Sequence, residues 1–180
     1  MVFTLAKEFV QSKGIFLDKP FGRKVDNTSD LINSNTIHTP TVLFRHDAYL
    51  MYAQEIGFNR GWAVGDYPIW IYISTKYKIH LIEEATTVYR ILENSASHST
   101  NIDKTEKYLN SVCDMLQFFI EKYSLGQIEK MQERRNRVLF DNAFRYRDKK
   151  RADIYFNRIC NKSLKLYIKY FILKSKFFNT

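Results

Sequence analysis

The chain has 180 residues, 45% of them hydrophobic and 16% aromatic, which points to a folded domain with a real core and excludes a disordered chain. Six glycines and three prolines exclude a collagen-like or low-complexity protein. The net charge of +9 is lopsided: residues 1–98 carry 10 Lys+Arg against 10 Asp+Glu, and residues 99–180 carry 18 against 9, so an anionic partner is expected for the second half only.

In chain order, VFTLAKEFV at 2–10 predicts a strand, with Ser12-Lys13-Gly14 as the turn after it. IFLDKPFGRKVDN is loop-like. Thr28 or Ser29 would cap a short helix over TSDLINSN. TPTVLFR (39–45) is β-branched and aromatic and predicts a buried strand. DAYLMYAQEIG (47–57) predicts a helix: Asp47 opens it, Tyr49, Leu50, Ala53 and Ile56 share a face, and Gly57 ends it. After the loop FNRGWAVG, the text from Asp66 reads as a buried helix with Pro68 in its first turn. KIHLIEE (78–84) and ATTVYRI (85–91) predict two β segments, and LENSASHST a polar loop. From Ile102 onward, three or four amphipathic helices follow.

Strands and helices therefore alternate through residue 98, and helices alone follow. This is α/β text, mixed α+β within this chain, with a helical C-terminal extension. The strands are too few for a self-sufficient doubly wound sheet, so the chain is expected to be the C-terminal portion of something larger. Cys113 and Cys160 lie far apart without a CxxC spacing and read as reduced thiols. No signal-peptide pattern and no run of 18 apolar residues is present, and a cytoplasmic location is expected.

One acid stands out. In WAVGDYPIW (62–70) Asp66 sits among aromatic residues, where a bare charge costs several kcal/mol unless it is compensated. It caps a helix, pairs, or does chemistry. Three blocks bear on the choice: N-x-I-H-T-x-T-V-x-F-R (Asn35 to Arg45), W-x-x-G-D-Y-P-x-W (Trp62 to Trp70) and V-Y-R-x-x-x-x-S-A-S-H (Val88 to His98). In order, spacing and residue type together, they resemble the C-terminal half of bacterial family 2 glycosyltransferases of the GT-A fold. The resemblance covers roughly residues 30–98. The family's opening strand and its D-x-D motif do not occur here.

The resemblance implies a partial GT-A sheet. Residues 1–100 would be the acceptor-side portion of the transferase domain, and 101–180 a basic helical extension. It implies inverting transfer of a sugar from a nucleotide-sugar donor to a hydroxyl of a surface polysaccharide or lipid-linked saccharide, in the making of a bacterial cell envelope. Asp66 would be the catalytic base. Arg90, Ser95 and Ser97 would contact the donor diphosphate, and His98 would do so or approach a metal. A divalent ion, Mn or Mg, is expected only with the missing D-x-D half, so this chain is expected to be inactive alone. Trp62, Tyr67 and Trp70 are candidates for an acceptor platform beside the flexible Gly65, with Trp62 favoured; core packing is the alternative for all three. For Asp66 the alternative is a plain helix cap, and for Arg90 a structural ion pair.

The other histidines, His38, His46 and His80, show no metal-ligand spacing. Near the end of the chain, Lys162, Lys165, Lys169 and Lys176 share a narrow stripe on a strongly apolar helix. That pattern suits the inner surface of a cell membrane as well as it suits a solvated face over a packed one. The arginines between 134 and 151 are interleaved with Asp141 and Asp148, and a solvated helix face is preferred to nucleic-acid binding. A non-catalytic basic module that binds a membrane or an acidic partner is the second reading of the whole chain.

Overall fold

The computed structural model describes residues 1–92 and 101–175. Strand β1 (Val2–Val10) is the centre of a small mixed sheet. Gly14, at φ 65°, closes the turn that folds β2 (Ile15–Phe16) back along its far end. Strand β3 (Val42–Leu43) pairs antiparallel with the start of β1. On the other edge β4 (His80–Ile91) runs parallel to β1 along its whole length. The two segments expected at 78–84 and 85–91 are thus one strand. Its register shifts near Thr4 and Leu5 absorb Glu83, Glu84 and Thr86 as a bulge, so the chain bends where a break was expected.

Helix α1 (Thr28–Asn33) is opened one residue earlier than expected. Asn27 accepts from the Asp30 amide, and Asp30 reaches back to the Asn27 amide, a complete capping box. TPTVLFR forms a short 3-10 turn at Thr39–Thr41 and only two residues of strand, because Pro40 removes a ladder donor. Helix α2 (His46–Glu55) ends at Gly57, φ 79°. Helix α3 (Tyr67–Lys76) is buried over its first seven residues and forms the middle of the core, as its unbroken apolar text requires.

Four helices follow: α4 (Ile102–Lys122), α5 (Ile128–Arg145), α6 (Lys149–Arg158) and α7 (Leu164–Lys174). The described residues are therefore mixed α and β, with helices alone after residue 101. Two apolar clusters hold them. The first gathers Phe3, Leu31, Tyr52, Trp70 and Tyr72 with Met115, Phe119 and Met131, so α4 and the start of α5 pack against the sheet side of the chain. The second joins Leu139, Phe140, Tyr155, Phe156 and Leu173 from α5, α6 and α7. Helix α5 contributes to both. Arg151 ties α6 to α4 through Glu106 (2.8 Å) and Asp103, and is itself held by Asp148 at 2.7 Å.

Phe119 is fully buried where α4 meets α3, against Trp62 and Tyr123. Phe119→Ala is expected to cost about 3–5 kcal/mol in a urea melt, the usual result of emptying a packed aromatic site.

Candidate functional site

The site grows from the pairing of β1 with β4. Glu8 lies beside Tyr89 in the parallel ladder, and both side chains face one cavity. His38 enters from the segment before the 3-10 turn. Its ring stacks on Tyr89 with centroids 4.1 Å apart and an 11° tilt, and meets Phe21 at 4.2 Å. Its Nε2 is 3.9 Å from Glu8 Oε1, is buried, and has no hydrogen bond among the described residues. Burial pushes the His38 pKa below its ordinary 6.5, against the opposing pull of the Asp66 carboxylate. The imidazole is therefore neutral at pH 7.

Asp66 stands at the N-terminus of α3 and lines the same cavity. Its backbone is already helical (φ −90°, ψ −45°), so the side chain does not curl over the helix end to reach Ile69. Oδ1 instead accepts from the adjacent Tyr67 amide at 2.7 Å, and Oδ2 accepts from the Thr39 hydroxyl. Two donors thus fix the direction of a half-buried carboxylate, and they answer the cost of placing it among aromatic residues. Tyr108 of α4 lines the wall as well. Burial, and then the nearby Asp66 and Tyr89, raise its phenol pKa, so it is a neutral hydroxyl at the cavity.

The cavity encloses about 730 Å³, a volume typical of small-molecule sites, which run roughly 300–1,000 Å³. A second part of its lining comes from α5 and the turn before it: Gln127, Lys130, Arg134 and Arg135. Arg135 is committed to Asn110 Oδ1 at 3.0 Å. Cys113 also lines the cavity, but burial raises its thiol pKa and makes it a poor nucleophile.

The residues singled out in the sequence meet different fates. Asp66 and Tyr67 are at the cavity, although the Tyr67 hydroxyl is spent on the Leu31 carbonyl and its ring is buried. Trp62 lies elsewhere: it packs on Phe118 and Phe119, with Arg60 over its ring at 5.7 Å. Trp70 is core. Gly65 has open space around its Cα and is not among the cavity residues. Arg90 is exposed, outside the cavity, and donates to Gln11 Oε1 at 3.0 Å. Strand alternation explains this, since Tyr89 faces inward and its neighbour must face out. Ser95, Ser97 and His98 lie outside the described residues. His38, Thr39, Tyr89 and Tyr108 belong to the site and were missed. The first three stand inside the quoted motif blocks, and their neighbours drew the attention.

The basic tail also differs from the expected stripe. Lys169 pairs with Asp141 at 2.6 Å, Lys162 precedes α7 and donates to the Ile159 carbonyl at 2.5 Å, and Lys176 lies outside the described residues. Besides Lys165 and Lys174, α7 exposes large apolar side chains: Leu164 at 76%, Phe171 at 63% and Ile168 at 50%. Among the described residues no helix is long and apolar enough to cross a membrane. Of the arginines, Arg135, Arg137 and Arg151 are taken up by internal partners.

No family model, no curated protein and no solved structure matches this chain significantly.

Two measurements follow from this geometry. The depressed His38 pKa means that the unfolded chain, titrating near 6.5, takes up its proton first. Stability conferred by neutral His38 is therefore complete above pH 6.5 and declines as the pH falls below it, down to the folded-state pKa. Thermal melts between pH 7.5 and pH 5 should show this fall, with a shallower slope in His38→Gln, roughly within the span over which histidine titrates. Tyr67→Phe is expected to lower stability by about 1 kcal/mol, the usual worth of one buried hydrogen bond.

Proposed function

We propose that this chain supplies the acceptor side of an inverting glycosyltransferase, with Asp66 as the general base. The observation that carries the reading is the seating of Asp66. Its carboxylate is aimed by Thr39 and the Tyr67 amide into a cavity large enough for a saccharide. Tyrosine rings and hydroxyls line that cavity, surfaces on which sugars stack and hydrogen-bond.

In this reading an acceptor hydroxyl lies against Asp66. The carboxylate takes its proton while the hydroxyl oxygen attacks the anomeric carbon of a nucleotide sugar. The C–O bond to the diphosphate breaks, the diphosphate leaves with the bonding pair, and the proton remains on Asp66. Neutral His38 and Tyr108 orient the acceptor by hydrogen bonding. The nucleotide-sugar pocket belongs to the half that the resemblance places before this one, together with any Mn or Mg. Among the described residues no group of three His, Cys, Asp or Glu side chains converges as a metal-ligand set. The three-block resemblance supports a polysaccharide or lipid-linked acceptor. Nucleic acid is not the partner in this reading.

Transfer should be assayed with the chain joined to any coding sequence that precedes Met1, using a panel of nucleotide sugars and Mn²⁺. Asp66→Asn is expected to lower the turnover by about 10²–10⁴-fold, the usual contribution of a general base, with nucleotide binding retained. Unchanged transfer would reduce Asp66 to a helix-end residue.

The exposed apolar face of α7 favours a second role beside this one: a peripheral contact at the cytoplasmic face of a membrane. Leu164, Ile168 and Phe171 would enter the headgroup region, and the exposed Lys165 would meet anionic lipid. Phe171→Glu should abolish sedimentation with anionic vesicles while leaving the fold intact; equal sedimentation of both forms would remove the membrane role.

A further inference from the structure

The second wall of the cavity has no part in the chemistry above, yet it is built with care. The turn between α4 and α5 holds Ser124 (φ 51°), Gly126 (φ 67°) and Gln127 (φ 73°) in left-handed backbone within four residues. Non-glycine residues resist that conformation, so the turn is held there by its surroundings. It delivers the Gln127 side chain into the cavity. Gln127 Nε2 donates to Ser29 Oγ at 3.0 Å, while Oε1 is buried and accepts nothing from the described residues. His38, which lines the same cavity, has its Nε2 in the same condition. Buried polar atoms are nearly always satisfied, so two on residues lining one cavity point to a ligand that satisfies both.

One helical turn beyond Gln127, Lys130 and Arg134 stand four residues apart on one face of α5, at the exposed rim. Neither makes an ion pair among the described residues, whereas their neighbours Arg135 and Arg137 are both bonded. The cavity is therefore bipolar. Glu8 of β1 and Asp66 at the start of α3 line it, and so do two α5 cations that make no ion pair among the described residues.

We infer that the α5 wall is an anion subsite, and that the ligand of this cavity is an acidic sugar. Its hydroxyls would meet His38 Nε2 and Gln127 Oε1, and its carboxylate or phosphate would meet Lys130 and Arg134. The inference names the substrate class of the site proposed above and rests on that reading only in taking the ligand to be a saccharide. Carboxylate and phosphate share the recognition chemistry, a charge-assisted bond to guanidinium and ammonium.

Isothermal titration of the 180-residue chain with glucose, glucuronic acid and glucose 6-phosphate separates the cases. At least one acidic probe should bind about tenfold or more tightly than glucose, and added salt should weaken that probe alone. The double variant Lys130→Gln/Arg134→Gln, at exposed positions and so able to fold, should bind all three probes alike. The acidic probe that shows the preference identifies the anion as carboxylate or phosphate. Equal affinities in the wild type, no binding of either acidic probe at millimolar concentration, or a preference that survives the double substitution would overturn the subsite. The transfer assay above keeps the two proposals apart: an acidic-sugar preference in the wild-type chain, with transfer unchanged by Asp66→Asn, sustains the subsite and sinks the transferase reading. Transfer to neutral acceptors without any such preference does the reverse.

Discussion

Along its whole length β1 is hydrogen-bonded in parallel to β4, and the cavity takes its position from that ladder. The pairing sets Glu8 beside Tyr89 and fixes which face of β4 looks inward. The bulge between Ile82 and Thr87 sets the register beyond it, so a different bulge would carry Tyr89 to the other face and bring Arg90 to the cavity. His38 then has a flat ring to stack on, and its stacking positions the 3-10 turn that follows. Thr39 begins that turn and reaches Asp66. A chain of ordinary contacts thus runs from the sheet ladder to the direction of one carboxylate.

The carboxylate depends on the helix as much as on the sheet. Tyr67 through Ile73 are buried in succession, which pins the first turn of α3 in the core and holds Asp66 at its boundary. A helix buried on all sides cannot rotate without emptying several packed positions, and each of those costs kcal/mol. The α5 wall is fixed differently. Met131 anchors one end of α5 in the first cluster, and Leu139, Phe140 and Ala143 anchor the other in the second. The cavity therefore has two rigid walls from distant parts of the sequence.

Much of this was legible beforehand. Helix α2 announced its glycine stop, α3 its start at Asp66, and the amphipathic text after Ile102 read as three or four helices where four form. Short-range signals failed where tertiary pairing decided. TPTVLFR has strand composition, but Pro40 and a two-residue overlap with β1 leave three of its residues as a 3-10 turn and only two as strand. The β4 text was divided at a pair of glutamates that the bulge absorbs. For the site, Asp66 was readable because a lone acid in aromatic text demands a partner. Arg90 stands outside the cavity because strand alternation turns it outward, which its charge alone does not reveal. The α5 wall was beyond reach, since nothing local in Lys130 or Arg134 says that a turn roughly 35 residues after β4 will bring them to the cavity that Asp66 lines.

The most direct test of the account is to map where a saccharide binds. Amide and tyrosine-ring chemical shifts of the labelled chain, followed by NMR during titration with an oligosaccharide, would locate it. The account predicts that the perturbed signals cluster at Thr39, Asp66, Tyr89, Tyr108 and Gln127, from both walls at once. Saturable shifts confined to α7 or to the Trp62 surface, with the cavity residues unmoved, would contradict it.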